Sequence, residues 1–239
     1  MSPQAVKMKE EELIRNLSKE LEQAKKQVRS SEELHRSLEA AQKKQLQMLP
    51  QPPKMAGLKF ACLYHPCATV SGDFYDFIPL SPTRVGWLIG DVSGHGIEAA
   101  MVMSMVRKVI SVHAKNLPSP KATLSIANRD IYGDLDTMTF ITASYGIINL
   151  ERRELVLARA GHTPLVLYNR ERLPAVQIFT PSGMVLGMDS GGKFNEALEE
   201  LAIPLQPGDL ILAYTDGITE TADKNGEEFG EERMCEEVA

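Results

Sequence analysis

Three aspartates at the ends of predicted strands are the residues of this sequence best suited to chemistry. Asp73 precedes an apolar stretch, Asp91 follows one, and Asp216 follows a third at residues 210–213. A hairpin between the first two strands would bring Asp73 and Asp91 together. Carboxylates that converge without a nearby Lys or Arg repel each other unless a cation lies between them. Mg²⁺ and Mn²⁺ prefer oxygen ligands of this kind, so the three aspartates predict a metal site.

A simpler interpretation of the same aspartates is that they form turns. Asp216 is followed by Gly217, and Asp beside Gly is common in turns, where its side chain bonds to nearby backbone groups. The spacing of the aspartates alone does not decide between the two interpretations.

Six short motifs follow one another along the chain, and each of them alone is weak evidence. Together and in this order they resemble the metal-dependent type 2C (PPM) serine/threonine phosphatases, in their bacterial sporulation and stress-response branch (SpoIIE/RsbU-like). The resemblance covers roughly residues 50–239. The motifs are residues 72–76, 90–100, 139–146, 160–164, 183–187 and 212–220.

The resemblance implies an α+β fold in which two antiparallel sheets form a sandwich flanked by helices (α-β-β-α). It also implies two Mn²⁺ or Mg²⁺ ions in a cleft at one end of the sheets. Asp91 would bridge both ions, Asp73 would bind one and Asp216 the other, and the Val92 backbone carbonyl would be a further ligand. Members usually carry a last acidic pair that completes the metal site, whereas this sequence stops at Ala239, which leaves the second ion short of a ligand.

The activity that the resemblance implies is hydrolysis of a phosphoserine or phosphothreonine by a metal-activated water, with Asp73, Asp91 and Asp216 as catalytic residues. The implied substrate is a phosphorylated regulatory protein, an anti-sigma-factor antagonist. His95 is a candidate acid for the leaving alkoxide, because His can carry a proton near neutral pH. The alternative for His95 is a loop histidine bonded to backbone. Asp76 is a candidate partner that would orient a metal-bound water.

Two other classes of function remain open. The missing last acidic segment is consistent with a catalytically impaired regulator that binds phosphoproteins or dimerises. A coiled-coil scaffold with a passive β domain is the third alternative. Metal-dependent turnover of a phosphate ester would distinguish the enzyme from both.

A long helix is predicted for residues 8–49, which are rich in Glu, Lys, Gln and Leu and contain no Gly or Pro. Apolar residues alternate at steps of three and four, as in a coiled coil, and favour a homodimer through this helix. The alternative is an amphipathic helix packed on its own domain. Pro50 ends the helix, which predicts an N-terminal helix over residues 1–49 and a phosphatase-like domain over residues 50–239. The seam positions are Ile14, Leu17, Leu21, Ala24, Val28, Leu34, Leu38, Ala41, Gln45 and Met48.

Alternating and helical hydrophobic patterns predict the remaining elements. Strands are predicted at residues 58–64, 74–79, 85–91, 140–150, 154–160, 165–168, 176–180, 194–203 and 210–214. Helices are predicted at residues 97–115 and 121–134, and a last one begins near residue 231.

Composition excludes several classes of protein. The net charge of −6 argues against a nucleic-acid-binding protein, which is normally basic. No apolar run reaches the length of a membrane span, and the N-terminus is charged rather than signal-like. Three cysteines without a pairing framework favour reduced thiols and a cytoplasmic protein.

Overall fold

The long N-terminal helix α1 extends over Pro3–Met48. The computed structural model describes residues 3–239, but only the backbone of residues 3–14 and of Ser18, so the predicted seam residue Ile14 lies outside the described side chains. The chain divides into two compact units, one ending at Lys44 and the other beginning at Gln45. The last turn of α1 therefore belongs to the second unit. Among the described residues, no helix combines the length and the apolar character needed to cross a membrane.

The second unit contains two antiparallel sheets. The larger sheet has the order β1-β2-β3-β4-β7, and the smaller has the order β6-β5-β8. The larger sheet is built from β1 (Phe74–Ser81), β2 (Arg84–Val92), β3 (Ile141–Asn149), β4 (Glu154–Ala160) and β7 (Glu200–Pro204). The smaller sheet is built from β5 (Leu165–Tyr168), β6 (Val176–Phe179) and β8 (Leu210–Leu212).

Helices cover the outer faces of both sheets. α2 (Ile97–Ala114) and α3 (Pro120–Tyr132) pack on the larger sheet, with Met103, Ile110 and Leu124 fully buried against it. α5 (Glu231–Val238) contributes Met234 to a cluster with Val166 and Tyr214 of the smaller sheet and its continuation. The short α4 is Gly192–Ala197. The predicted α-β-β-α sandwich is thus confirmed.

The two faces of β2 show how the sequence pattern produces these layers. Val85 and Trp87 pack between the sheets against Leu165 and Leu167, whereas Leu88 faces α2 and α3. Successive side chains of a strand point to opposite faces. Residue 91 has the same parity as residues 85 and 87, so its side chain faces the smaller sheet.

The strand predicted at residues 58–64 is wrong. This segment has no strand partner beyond one isolated bridge between Met55 and Leu58. Its alternation reflects side-chain packing instead: Leu58 and Phe60 contact the cluster between the sheets, and the Phe60 ring lies 5.0 Å from that of Phe77. An alternating hydrophobic pattern indicates that one face of the segment is buried. It does not show that a neighbouring strand is available to pair with the segment's backbone.

The strand predicted at residues 194–203 is correct only in its second half, where β7 lies. Its first half is the helix α4, because Asp189 Oδ1 accepts hydrogen bonds from the backbone N–H groups of Gly191 and Phe194. A carboxylate that takes up these free donors starts a helix. Phe194, which lies on this helix, is fully buried.

The packing of Trp87 between the sheets leads to a prediction about Gly146, its partner in the β2–β3 register. A Cβ on Gly146 would lie 2.5–2.6 Å from three indole atoms. We expect Gly146→Ala to lower the free energy of unfolding by about 1–3 kcal/mol, because the buried indole must move. Urea unfolding measures this change. Gly133→Ala is the matched control, since nothing lies within 4 Å of its Cβ position, and equal midpoints for the two variants would contradict the prediction.

Candidate active site

The β1–β2 register brings two of the predicted aspartates together. Phe74 of β1 pairs with Gly90 of β2, so Asp73 and Asp91, the next residues outward, lie side by side at the same end of the hairpin. Asp91 itself pairs with Thr142 of β3. The backbone carbonyl of Asp73 accepts a hydrogen bond from the Tyr64 hydroxyl at 3.3 Å, which fixes this end of the hairpin.

Asp216 reaches the same place from the other sheet, in the turn after β8. The structure brings the three aspartates together closely enough for their charges to act on one another. Asp216 raises the pKa of Asp73, and both Asp73 and Asp216 raise the pKa of Asp91. The three aspartates, which are far apart in the sequence, therefore meet between the two sheets.

Burial is the largest cause of the shifts at Asp73 and Asp91, ahead of the neighbouring carboxylates. Burial and the neighbouring carboxylates together raise the pKa of Asp91 from 3.8 to about 7, with the backbone N–H of Val92 opposing the shift. The pKa of Asp73 is also raised, and the hydroxyls of Thr215 and Ser71 oppose that shift. Among the described residues, none of the three aspartates forms a salt bridge. The site thus concentrates negative charge that only protons or cations can relieve.

Gly72 lets the backbone approach this charge closely. A Cβ on Gly72 would lie 2.7 Å from the Val92 carbonyl oxygen and 3.1 Å from Asp91 Oδ1. Any other side chain would fill the space beside these two oxygens. Two of the oxygens that the sequence predicts as ligands thus lie beside Gly72, and the predicted donor set of carboxylates and a carbonyl suits a hard divalent ion. The residues present therefore fit such an ion.

The aspartates are neighbours, but their side chains do not form a complete set of metal ligands. In the described part of the chain, no group of three or more His, Cys, Asp or Glu side chains is already arranged to hold a metal ion. Asp216 is exposed in its turn, whereas Asp73 and Asp91 are partly buried.

His95 lies in the exposed loop between β2 and α2. Gly94 and Gly96 on either side of it have positive φ values of 90° and 79°, and Ser93 anchors the loop by exchanging two hydrogen bonds of 2.9 Å with the backbone of Phe140. α2 starts directly afterwards and has no side-chain cap. Its first N–H groups are therefore available to an anion near Asp91.

Asp76 forms an ion pair with Arg107 of α2. Its side chain is buried, and Oδ2 accepts a hydrogen bond from Arg107 Nη1 of α2 at 2.7 Å while Oδ1 accepts one from the Phe77 N–H at 2.8 Å. Burial raises the pKa of Asp76 and the Arg107 charge opposes this. This ion pair joins β1 to α2.

His162 connects the strands behind the aspartates. It is almost fully buried, and its Nδ1 lies 2.8 Å from Oγ1 of Thr142, the strand partner of Asp91. Burial lowers the pKa of His162 to about 4, and the Tyr214 carbonyl opposes the shift. The neighbouring Thr163 hydroxyl donates to that same carbonyl, two residues before Asp216.

Sequence reasoning missed two contributors to the site. Glu220 also raises the pKa of Asp91, and its N–H donates to the Asp216 carbonyl at 2.8 Å. The four-residue spacing from Asp216 was a signal that one helical turn could place it there. The second contributor is Ser71, whose Oγ accepts a hydrogen bond from the Asp73 N–H at 3.1 Å.

The raised pKa of Asp91 predicts a pH-dependent stability for the metal-free chain. The folded state holds this proton more tightly than the unfolded state, so its stabilising effect is complete below pH 3.8 and is lost as the pH rises through about 7. We expect Asp91→Asn, in EDTA, to raise the free energy of unfolding at pH 8 by about 1–3 kcal/mol after allowance for solvent screening. The gain should be smaller at pH 5.

Scanning calorimetry at the two pH values measures this gain. Asp134→Asn, in the exposed loop after α3, is the control and should show no such pH-dependent gain. A loss of stability in Asp91→Asn at pH 8 would show that the Asp91 charge is satisfied in the metal-free fold.

Comparison with known proteins identifies relatives of the chain. The model of the family described as Stage II sporulation protein E (SpoIIE) matches residues 81–239. Phosphoserine phosphatase RsbU of Bacillus subtilis (strain 168) is 28% identical over 190 residues, which cover 77% of this chain and 55% of RsbU. The chain thus spans about half the length of this relative.

Solved structures share the fold. The SiaA-PP2C domain of Pseudomonas aeruginosa superposes with a TM-score of 0.76 at 23% identity, covering 87% of this chain and 82% of that one. RsbX in complex with magnesium superposes with a TM-score of 0.52 at 14% identity, covering 71% of this chain and 79% of RsbX.

Proposed function

Because the chain belongs to the SpoIIE family of PP2C-type phosphatase domains, we propose that it is a metal-dependent protein serine/threonine phosphatase. The reaction is hydrolysis of a phosphoserine or phosphothreonine on a regulatory protein. The observation that carries the proposal is the convergence of Asp73, Asp91 and Asp216 between the two sheets, where burial and neighbouring carboxylates raise the pKa values of Asp73 and Asp91. The similarity to phosphoserine phosphatase RsbU supports the same reaction class.

The residues that would hold metal are the ligands that the sequence predicts. Asp91 would lie between two Mn²⁺ or Mg²⁺ ions, Asp73 would bind one and Asp216 the other, and the Val92 carbonyl would complete the set. Such ions supply a water of lowered pKa and neutralise phosphoryl oxygens. The raised pKa of Asp91 supports this assignment, because a divalent ion removes the repulsion that the proton otherwise removes.

The chain's own groups would bind and orient the phosphorylated side chain. The uncapped N-terminus of α2 offers N–H groups to the phosphate oxygens. His95, exposed in the preceding loop, would protonate the leaving serine or threonine oxygen. The proposed substrate is a phosphorylated anti-sigma-factor antagonist, and it follows from the family resemblance and the similarity to RsbU.

A catalytically impaired phosphoprotein-binding regulator is the second candidate. One observation favours it: among the described residues, the acidic side chains are not already grouped to hold an ion. Under this alternative the site would bind phosphoprotein without turnover.

Hydrolysis of a chromogenic phosphate ester separates the two candidates. We expect turnover that requires Mn²⁺ or Mg²⁺, is lost in EDTA and falls about 100-fold or more in Asp91→Asn, because the central ligand is removed. Asp134→Asn is the matched control and should keep the wild-type rate. Absence of turnover in the wild-type chain at millimolar Mn²⁺ would favour the regulator, and wild-type rates in Asp91→Asn would refute the metal assignment.

We also propose that α1 forms a homodimeric coiled coil. Leu17, Leu21, Val28 and Leu34 lie on the predicted seam, and each is more than half exposed in the single chain. Four large apolar side chains along one helix are costly in water and are covered when a second copy packs against them.

A cytoplasmic location is proposed on the three free cysteines, of which Cys62 and Cys67 are exposed.

Charge substitutions on the seam test the dimer. We expect Leu17→Glu combined with Leu21→Glu to halve the mass measured by light scattering, because carboxylates replace the apolar contacts. Lys19→Glu combined with Lys26→Glu, on the outer face of the predicted coiled coil, should leave the mass of a dimer. A wild-type chain that already has the mass of one copy would contradict the proposal.

A further inference from the structure

Gln45 binds the loop that carries Asp73. It lies in the last turn of α1, in the second unit, and the residue is only 5% exposed. Its Nε2 donates to the Ser71 carbonyl at 2.7 Å, and its Oε1 accepts from the Ser71 N–H at 3.1 Å. The amide therefore satisfies both backbone groups of Ser71, as a neighbouring strand would. The heptad pattern assigned Gln45 to the coiled-coil seam, and the structure turns it towards Ser71 instead.

The contacts continue from Ser71 to the candidate active site. Ser71 Oγ accepts from the Asp73 N–H at 3.1 Å and lies 3.5 Å from Asp73 Oδ2. Between these residues, Gly72 lies against the Val92 carbonyl and Asp91 Oδ1. The three-residue loop is thus held by Gln45 on one side and faces the predicted ligands on the other. A displacement of Ser71 would be transmitted to Asp73 within two residues.

Other contacts fix the end of α1 without Gln45. Leu49 is 7% exposed and belongs to the core cluster between the helices and the larger sheet. The Ser104 hydroxyl donates to Met48 Sδ at 3.7 Å. Loss of the Gln45 amide would therefore leave the helix end packed while releasing Ser71. The effect of Gln45 on the site can be separated from an effect on folding.

We infer that Gln45 is a positioning residue of the proposed metal site, holding the loop of residues 71–73 so that Asp73 is placed for an ion. This inference rests on the proposed function. Without the amide, the two Ser71 backbone groups lose their partners and the loop must be ordered when metal binds. Partners that orient a ligand typically change metal affinity by about 10–100-fold.

The test compares Gln45→Met with Gln47→Met in the full chain. Methionine has a similar length and makes neither hydrogen bond, and Gln47 lies exposed two residues away. Titration calorimetry with Mn²⁺ gives the dissociation constant, and hydrolysis of a phosphate ester at rising Mn²⁺ gives the half-saturating concentration and kcat. We expect both metal constants to rise about tenfold in Gln45→Met. The kcat at saturating Mn²⁺ should stay near wild type, because mass action restores the bound state.

A merely structural role would lower the melting temperature in EDTA and leave the Mn²⁺ dissociation constant unchanged, which would overturn the inference. Equal weakening of Mn²⁺ binding in Gln45→Met and Gln47→Met would also overturn it. If Gln45→Met does not fold, Ser71→Ala tests the same link by removing the Oγ contact to Asp73, and an unchanged Mn²⁺ constant there counts against the inference. A wild-type chain that binds no Mn²⁺ at millimolar concentration would refute the proposed function itself. That result differs from a failure of the Gln45 inference, in which the wild-type chain binds Mn²⁺ and Gln45→Met binds it equally well.

Discussion

Repulsion between partly buried carboxylates is the constraint on which the rest of this structure depends. Asp73 and Asp91 lie side by side at the end of a hairpin, and Asp216 adds its charge from the second sheet. A fold selected only for stability would separate these groups or pair them with basic side chains. The sandwich instead holds them together, which is the arrangement expected where function requires a cation.

The surrounding structure fixes this unfavourable arrangement from several directions. The β1–β2–β3 register sets the positions of Asp73 and Asp91, and the ion pair between Asp76 and Arg107 holds β1 against α2. His162 bonds to Thr142, the strand partner of Asp91, and the adjacent Thr163 donates to the Tyr214 carbonyl in the segment that leads to Asp216. Each contact is ordinary, but together they hold the strand ends that carry Asp73 and Asp91 side by side. The cost of the site is offset by the extensive apolar packing on both faces of the larger sheet.

The last turn of α1 has a different role from the rest of that helix. Leu17, Leu21, Val28 and Leu34 are more than half exposed, whereas Gln45 and the following Leu49 are buried in the second unit. The heptad pattern continues through Gln45, because the periodicity of a helix is the same whether a face packs on its own domain or on a second helix. Only the contact with Ser71 shows that Gln45 packs on the domain, although the heptad pattern predicts it for the seam.

The sequence by itself determined the candidate aspartates, the long helix and nearly all strands, because these depend on local periodicity and on Gly and Pro signals. It also carried the order of motifs by which the fold was predicted. The tertiary structure decided which side chains meet: the partners of Asp76 and Gln45, the contribution of Glu220 and the loss of the predicted strand at residues 58–64. These outcomes depend on backbone partners and packing between distant segments, which no local pattern specifies.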